Sequence, residues 1–345
     1  MRRGYIINIE EVIDCLREAV AEAEKAAKVK IRRVNLGIGG VTLESKTADG
    51  SALVSRADLE VTTSDIRRAT EDSQNNLTDM QNRQIIHRVP IAFKLDGKKV
   101  LGSLEGMQGS KLEVHTMFVT YSKQHLSDFV TAAEEAGLIV DDIIAAPLAS
   151  SLMVLSKIQR ASGCVLANIG SQTTSIAVFE ENIPLSVYVF PIGSTDITND
   201  IALGFRIPLE DADRVKRREI EPEGPRRKLD EIIEARLSDI FEYIEMHLKK
   251  IGRNGLLPAG VIITGGGSNT LNIEELAKDY FSLPAKIAAP VRIVDGNNQG
   301  IDPSWAVAYG LCAYNYEFDL EGKEGKNSGR NFRHMVAKWF KEFMP

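Results

Sequence analysis

The stretch that decides the reading of this chain is Leu166-Ala167-Asn168-Ile169-Gly170-Ser171-Gln172-Thr173-Thr174-Ser175-Ile176-Ala177-Val178. An apolar strand ends, a turn of small and polar residues follows, and a second apolar strand begins. Gly and Ser in such a turn let an anion approach the backbone closely, so amide N–H groups and hydroxyls can face it. An ordinary β-hairpin is the alternative for the same residues. A second stretch, Val261-Ile262-Ile263-Thr264-Gly265-Gly266-Gly267-Ser268, carries an apolar strand into three glycines and then a helix. It is not a Walker A loop, because no Lys-Ser/Thr pair follows, and it does not meet G-x-G-x-x-G. A tight strand-to-helix turn is its alternative. The two loops fall in separate halves of the region after residue 138, the placement expected of a nucleotide gripped between two α/β lobes. Between them, Phe190-Pro191-Ile192-Gly193-Ser194-Thr195-Asp196 runs a strand into a helix through a glycine, which a capped helix start also explains.

Outward from these loops the periodicities fill in the rest. Ile9, Val12, Ile13, Leu16, Val20 and Ala23 recur at helical spacing and predict a helix over 9–27. Residues 33–55 read as alternating strands around the turns Gly39-Gly40 and Ala48-Asp49-Gly50, and 85–121 as further strands around Leu95-Asp96-Gly97. A helix opening at Thr63 or Ser64 lies between them. After residue 122 the pattern is a helix at 123–136, a strand at 138–145, a helix at 147–160 and strands at 163–169, 174–180 and 184–191. Helices follow at 194–205, 208–218 and 229–252, then a strand at 260–264 and a last helix at 303–316. Strand groups separated by helices predict α/β architecture with helices packed on the sheets.

The chain has 345 residues, 43% hydrophobic and 26% charged, an ordinary globular composition with room for about two domains. No run of eighteen apolar residues is present, and Met1-Arg2-Arg3-Gly4-Tyr5 opens neither an apolar stretch nor a cleavage site. Cys15, Cys164 and Cys312 are far apart and form no C-x-x-C, and the five histidines show no ligand spacing, so no metal site is expected. The net charge of −6 is unevenly placed: residues 326–345 carry +4, leaving −10 for the body. That asymmetry points to an anionic partner for the tail and away from nucleic acid for the body.

Residues 317–329 are polar and glycine-containing and read as a linker. Beyond it, Phe332, Met335, Val336, Trp339, Phe340 and Phe343 form one apolar helical stripe, flanked by Arg333, Lys338 and Lys341. An aromatic-rich stripe between cations fits a helix lying in a membrane interface against anionic headgroups. A helix docking on the core or binding a partner protein is the alternative.

Together these segments resemble the FtsA family of bacterial cell-division proteins, within the actin/Hsp70/sugar-kinase superfamily, over essentially the whole chain. Gly170–Ser175 lies where that family has its phosphate-2 loop and Val261–Ser268 where it has its adenosine loop. Pro147–Ser151 and Ala306–Leu311 resemble its two connecting helices, and Asp211–Lys216 and Ile233–Arg236 resemble further FtsA segments. The resemblance implies an actin/Hsp70-like two-lobed α/β fold with an inserted small α+β subdomain. Residues 1–32 and 122–160 would form the remainder of the first lobe and 33–121 the insert. Residues 161–316 would form the remaining core and second lobe, with 317–329 a linker and 330–345 a membrane-targeting helix. ATP would be held by Gly170, Ser171, Gln172, Thr173, Thr174, Gly193, Lys216, Glu234, Gly265, Gly266, Gly267 and Ser268. The implied role is an adaptor that self-assembles and tethers FtsZ to anionic lipids on the cytoplasmic face of the membrane at the septum, alongside other division proteins. A pilus-assembly scaffold of the PilM type is the alternative, and a phosphotransferase of the same superfamily a more distant one.

Two departures bear on this. The family's phosphate-2 loop reads D-x-G-x-G-T-x-D, whereas here Asn168 and Ser175 replace both acids and Gln172 replaces a glycine. An amide lacks the charge a hard cation such as Mg²⁺ favours, so ATP binding with little or no turnover is expected. The family also carries a phosphate-1 hairpin upstream of a segment like Met1–Gly4, so the resemblance implies that this hairpin is missing and that the first lobe's sheet has an uncovered edge.

Overall fold

Every residue of the strand Cys164–Ile169 is buried or nearly so, which requires a cover on both faces of its sheet. The computed structural model, which describes residues 1–100, 102, 104–222, 224–294 and 297–321, supplies those covers. In chain order the elements are α1 (Ile9–Ala27), β1 (Arg33–Ile38), β2 (Glu44–Leu53), α2 (Thr63–Asn75), β3 (Arg83–Leu95), β4 (Lys98–Val100), β5 (Lys111–Ser122), α3 (Lys123–Glu135) and β6 (Ile139–Ala145). Then come α4 (Ala146–Val154), α5 (Lys157–Ser162), β7 (Cys164–Ile169), β8 (Thr174–Glu180), β9 (Ile183–Phe190), α6 (Ser194–Phe205), α7 (Leu209–Lys216) and α8 (Arg226–Lys250). The rest are β10 (Gly260–Thr264), α9 (Ile273–Phe281), β11 (Ala285–Ile287), β12 (Val291–Val294), β13 (Asn297–Gly300) and α10 (Ala306–Glu321), with short 3₁₀ turns at Gly266–Asn269 and Pro303–Trp305.

Nine strands form one sheet in the order β11-β10-β7-β8-β9-β2-β5-β3-β4. On one face Val165, Ala167 and Ile169 of β7 pack with Leu237, Ile240, Phe241 and Ile244 of α8. On the other, Leu166 joins Phe179, Val187 and Ile262 against Leu148, Val154 and Leu155. Side chains alternate in direction along a strand, so the unbroken apolar run in the sequence serves two cores. A third, smaller core lies under α2, where Ala69 meets Leu112, Val114 and Leu95. Thr62 caps α2 through a reciprocal bond with Asp65, one residue before the expected helix start.

Several expected boundaries move. Ala48-Asp49-Gly50 is not a turn: β2 runs straight through it, paired with β5 from Glu44↔Thr120 to Leu53↔Lys111. Gly50 is there because α2 crosses the strand at that point, and a Cβ would lie 2.6 Å from Ser73 Cα. The helix expected over 147–160 is two helices, broken where Ser156 leaves the helical conformation and caps α5 with Gln159. The last helix continues to Glu321, so residues 317–321, read as linker, extend α10, and the sequence carries no Gly or Pro from 311 to 321 to break it. β1 pairs in parallel with β6 as a separate two-stranded sheet, and no other described strand pairs with either. No described helix is long and apolar enough to cross a membrane. Phe332, Arg333, Met335, Val336, Lys338, Trp339, Phe340, Lys341 and Phe343 lie outside the described residues.

Candidate functional site

β7 and β10 are parallel neighbours in register from Gly260↔Cys164 to Thr264↔Asn168. Their carboxyl ends therefore stop side by side, and the loops that follow, Gly170–Thr173 and Gly265–Ser268, leave the sheet together. This corrects the expectation that the loops belong to separate lobes: the parallel pairing places both on one sheet. Crevices outside the carboxyl ends of parallel strands are where open α/β sheets hold ligands.

Contacts between the loops explain their glycines. Gly265 has φ +87°, and a Cβ there would lie 2.6 Å from Ile169 O and run into the Asn168 carboxamide. Gly193 has extended backbone, but a Cβ would lie 2.6 Å from Ser171 O and 2.8 Å from Gln172 N. The third segment is stitched to the first: Ser194 N–H donates to Gly170 O at 2.9 Å and Thr195 N–H to Ser171 O at 2.7 Å. Gly170 N–H donates to Thr173 O at 2.9 Å and closes the turn. The amides of Ser171, Gln172 and Thr173 have no partner among the described residues. Three consecutive free N–H groups in a partly exposed turn fit an anion.

The other expected contacts divide. Thr174 and Ser268 are fully buried, with hydroxyls donating to Ile192 O (2.9 Å) and Gly265 O (2.7 Å), so both hold the loops. Gly266 and Gly267 begin the 3₁₀ turn, with Gly267 packed on Ile169. Lys216 is 14% exposed and its ammonium is engaged by Thr198 Oγ1 (2.6 Å), Asp213 (2.9 Å) and Ser194 O (3.3 Å), at the corner where α6 begins. That hydrogen bond holds the Asp213 carboxyl below its usual range. Glu234 is on the exposed side of α8, whereas Arg236, two residues on, forms a two-pronged pair with Asp200 of α6 at 2.6 and 3.0 Å.

Sequence reasoning missed one contact of the turn. Gln172 Oε1 accepts the Arg3 backbone N–H at 2.7 Å, joining residues 169 positions apart. It also missed that Ser304 would lie 3.8 Å from a Cβ on Gly266, at the mouth of the second loop. The Asp302 side chain accepts from Ser304 N–H at 2.8 Å and fixes that edge. No local pattern announces either contact.

Comparison with known proteins places this arrangement in a class. The chain is similar to the PilM–PilN type IV pilus biogenesis complex, with a TM-score of 0.67 and 18% identity over 91% of this chain and 87% of that one. It is also similar to the ethanolamine utilization protein EutJ from Carboxydothermus hydrogenoformans, with a TM-score of 0.52 and 14% identity over 90% of this chain and 76% of that one. The fold is the actin-like ATPase fold. The family model for cell division protein FtsA matches residues 165–310, and the model for the SHS2 domain inserted in FtsA matches residues 40–120. Cell division protein FtsA of Pseudomonas aeruginosa is 27% identical over 96% of this chain and 84% of its own length. The Bacillus subtilis protein of that name is 29% identical over 91% of this chain and 75% of its own, and the Escherichia coli K12 one 26% over 94% and 83%. The chain belongs to the FtsA family.

Proposed function

We propose that this chain is a cell-division adaptor that binds ATP, assembles with further copies of itself and ties FtsZ filaments to anionic lipid on the cytoplasmic face of the membrane at the septum. The observation that carries the reading is the meeting of both glycine-bearing loops at the carboxyl ends of β7 and β10, in a chain of the FtsA family. The Ser171–Thr173 amides suit the phosphates, and the backbone of Gly265–Gly267 leaves room for the nucleoside beside them. Bound ATP would supply the charge and the surface that select an assembly-competent state. Among the described residues no cluster of three His, Cys, Asp or Glu side chains is placed to hold a metal ion. Asn168 offers a neutral carbonyl where a carboxylate would draw Mg²⁺, so binding with little turnover is the expected chemistry.

The terminal stripe of Phe332, Trp339 and Phe340 between basic residues supports the membrane half of the reading. Flotation with anionic vesicles tests it: the full chain floats, while Trp339→Glu or deletion of residues 330–345 stays at the bottom. Equal flotation of both discards it. Co-sedimentation of the full chain with FtsZ polymers, with and without ATP, tests the adaptor half.

A further inference from the structure

Lys216, the cation expected at the nucleotide, is already engaged by Thr198, Asp213 and Ser194. A second cationic residue, Arg3, is joined to the Gly170–Thr173 turn through its backbone. Arg2 and Tyr5 exchange backbone hydrogen bonds at 2.9 and 2.8 Å and close a tight turn with Arg3 at its tip. The turn is wedged in place: Gly4 packs so closely on Gly40 that a Cβ would lie 3.1 Å from Gly40 N, and the Tyr5 ring lies 4.3 Å from that of His125. Arg3 takes φ +48°, a left-handed conformation uncommon for a side chain of its size. Its N–H donates to Gln172 Oε1, so its backbone is anchored to the side chain of a residue of the turn that carries the three free amides. The Arg3 side chain is exposed and makes no ion pair or hydrogen bond among the described residues. Gln172, the residue that departs from the glycine of the related loops, thus ties the backbone of a cationic residue to the turn.

We propose that Arg3 is the cation that meets the terminal phosphates of a nucleotide seated on the Ser171–Thr173 amides, and that Gln172 is its positioning residue. The proposal rests on the nucleotide reading above. A guanidinium suits the task because its fork of donors fits phosphate oxygens and its charge is permanent.

The test uses the full chain and five probes: ATP, ADP, AMP, adenosine and tripolyphosphate, each titrated by calorimetry. Arg3→Ala is expected to weaken ATP and tripolyphosphate by about ten- to a hundred-fold, the range of a lost charged hydrogen bond, and to leave adenosine unchanged. Arg3→Lys recovers part of the loss. Gln172→Gly weakens ATP by a smaller factor, and adding Arg3→Ala to it costs less than in the parent, because the Arg3 backbone is no longer anchored. Raising salt from 50 to 300 mM costs the parent more ATP affinity than it costs Arg3→Ala. Equal melting temperatures of parent and variants exclude loss of fold. An unchanged ratio of ATP to adenosine affinity in Arg3→Ala overturns the proposal while leaving the nucleotide reading intact. Tripolyphosphate binding without nucleotide binding, lost in Arg3→Ala, overturns the nucleotide reading and supports the Arg3 contact. Binding of no probe by the parent overturns both.

Discussion

Asn168 and Gly265 show how little separates a holding contact from a lost one at the scale of single residues. Gly265 lies against Asn168 and Ile169 with φ +87°, so Gly265→Ala brings a steric clash and a backbone penalty together. The expected cost is about 2 kcal/mol or more and, on the proposed nucleotide reading, ATP affinity falls too, as the clash pushes the second loop off the first. A denaturant titration beside a binding titration checks both, and a variant that keeps parental stability and affinity refutes the packing argument. Asn168→Asp tests the charge argument from the opposite side. It places a carboxylate at the end of β7, and on the proposed nucleotide reading Mg²⁺-dependent ATP affinity and turnover should both rise above the parent. A brisk Mg²⁺-dependent rate in the parent itself would sink the expectation that the neutral amide suppresses hydrolysis.

Whole elements were legible where periodicity is local and hidden where the deciding contact is distant. The helix over 9–27 is fully determined by its own spacing and by Asn8, whose side chain accepts the Glu10 and Glu11 amides. By contrast Ala48-Asp49-Gly50 carries every local mark of a turn, and only its pairing with β5, absent from a local window, makes it strand. The in-register pairing of β7 with β10 is likewise set by contacts distant in sequence, whereas the break after α4 has a local mark, the Ser156–Gln159 capping box. The crossing of α4 and α10 gives a prediction at this scale. Gly310 of α10 lies against the backbone of α4, where a Cβ would overlap the Ala149 carbonyl and stand 3.0 Å from Ser150 N. Gly310→Ala gains about 1 kcal/mol in helix propensity but forces two backbones apart, at about 1–3 kcal/mol or more. Because backbone cannot swing aside as a side chain does, the steric cost wins and the melting temperature falls. A variant that melts higher than the parent would mean that the helices separate freely.

For the molecule as a whole, two enclosed histidines set how it responds to acid. His87 Nε2 accepts the Ala145 N–H at 3.0 Å, linking β3 to the end of β6. His247 of α8 lies 2.8 Å from Ser186 Oγ of β9, and Ser186 meets Ser45 Oγ of β2 at 3.2 Å, where two parts of the long sheet join through the single pair Glu44↔Tyr188. Burial lowers both imidazoles to about 4, with Lys250 adding to the effect at His247. The unfolded chain takes up these protons near pH 6.5 and the folded one only near 4, so the unfolded state binds more protons between those values. The stability these groups contribute is therefore full above about pH 6.5 and is lost as pH falls toward 4, amounting to about 2 kcal/mol for each histidine at pH 5. Asp142 acts in the opposite sense, since burial raises its carboxyl and favours the protonated folded form as pH falls through the acid range. In the unfolded chain the histidines take up protons from about pH 6.5 downward, above the ordinary carboxylate range, and so set the trend in mildly acid solution. Urea midpoints should thus fall between pH 7.5 and 5, and His247→Gln, which keeps a polar partner for Ser186, should flatten that slope by about half. If the midpoint is level across this range, or the slope is the same in His247→Gln, the seam between β9 and β2 does not carry the acid sensitivity.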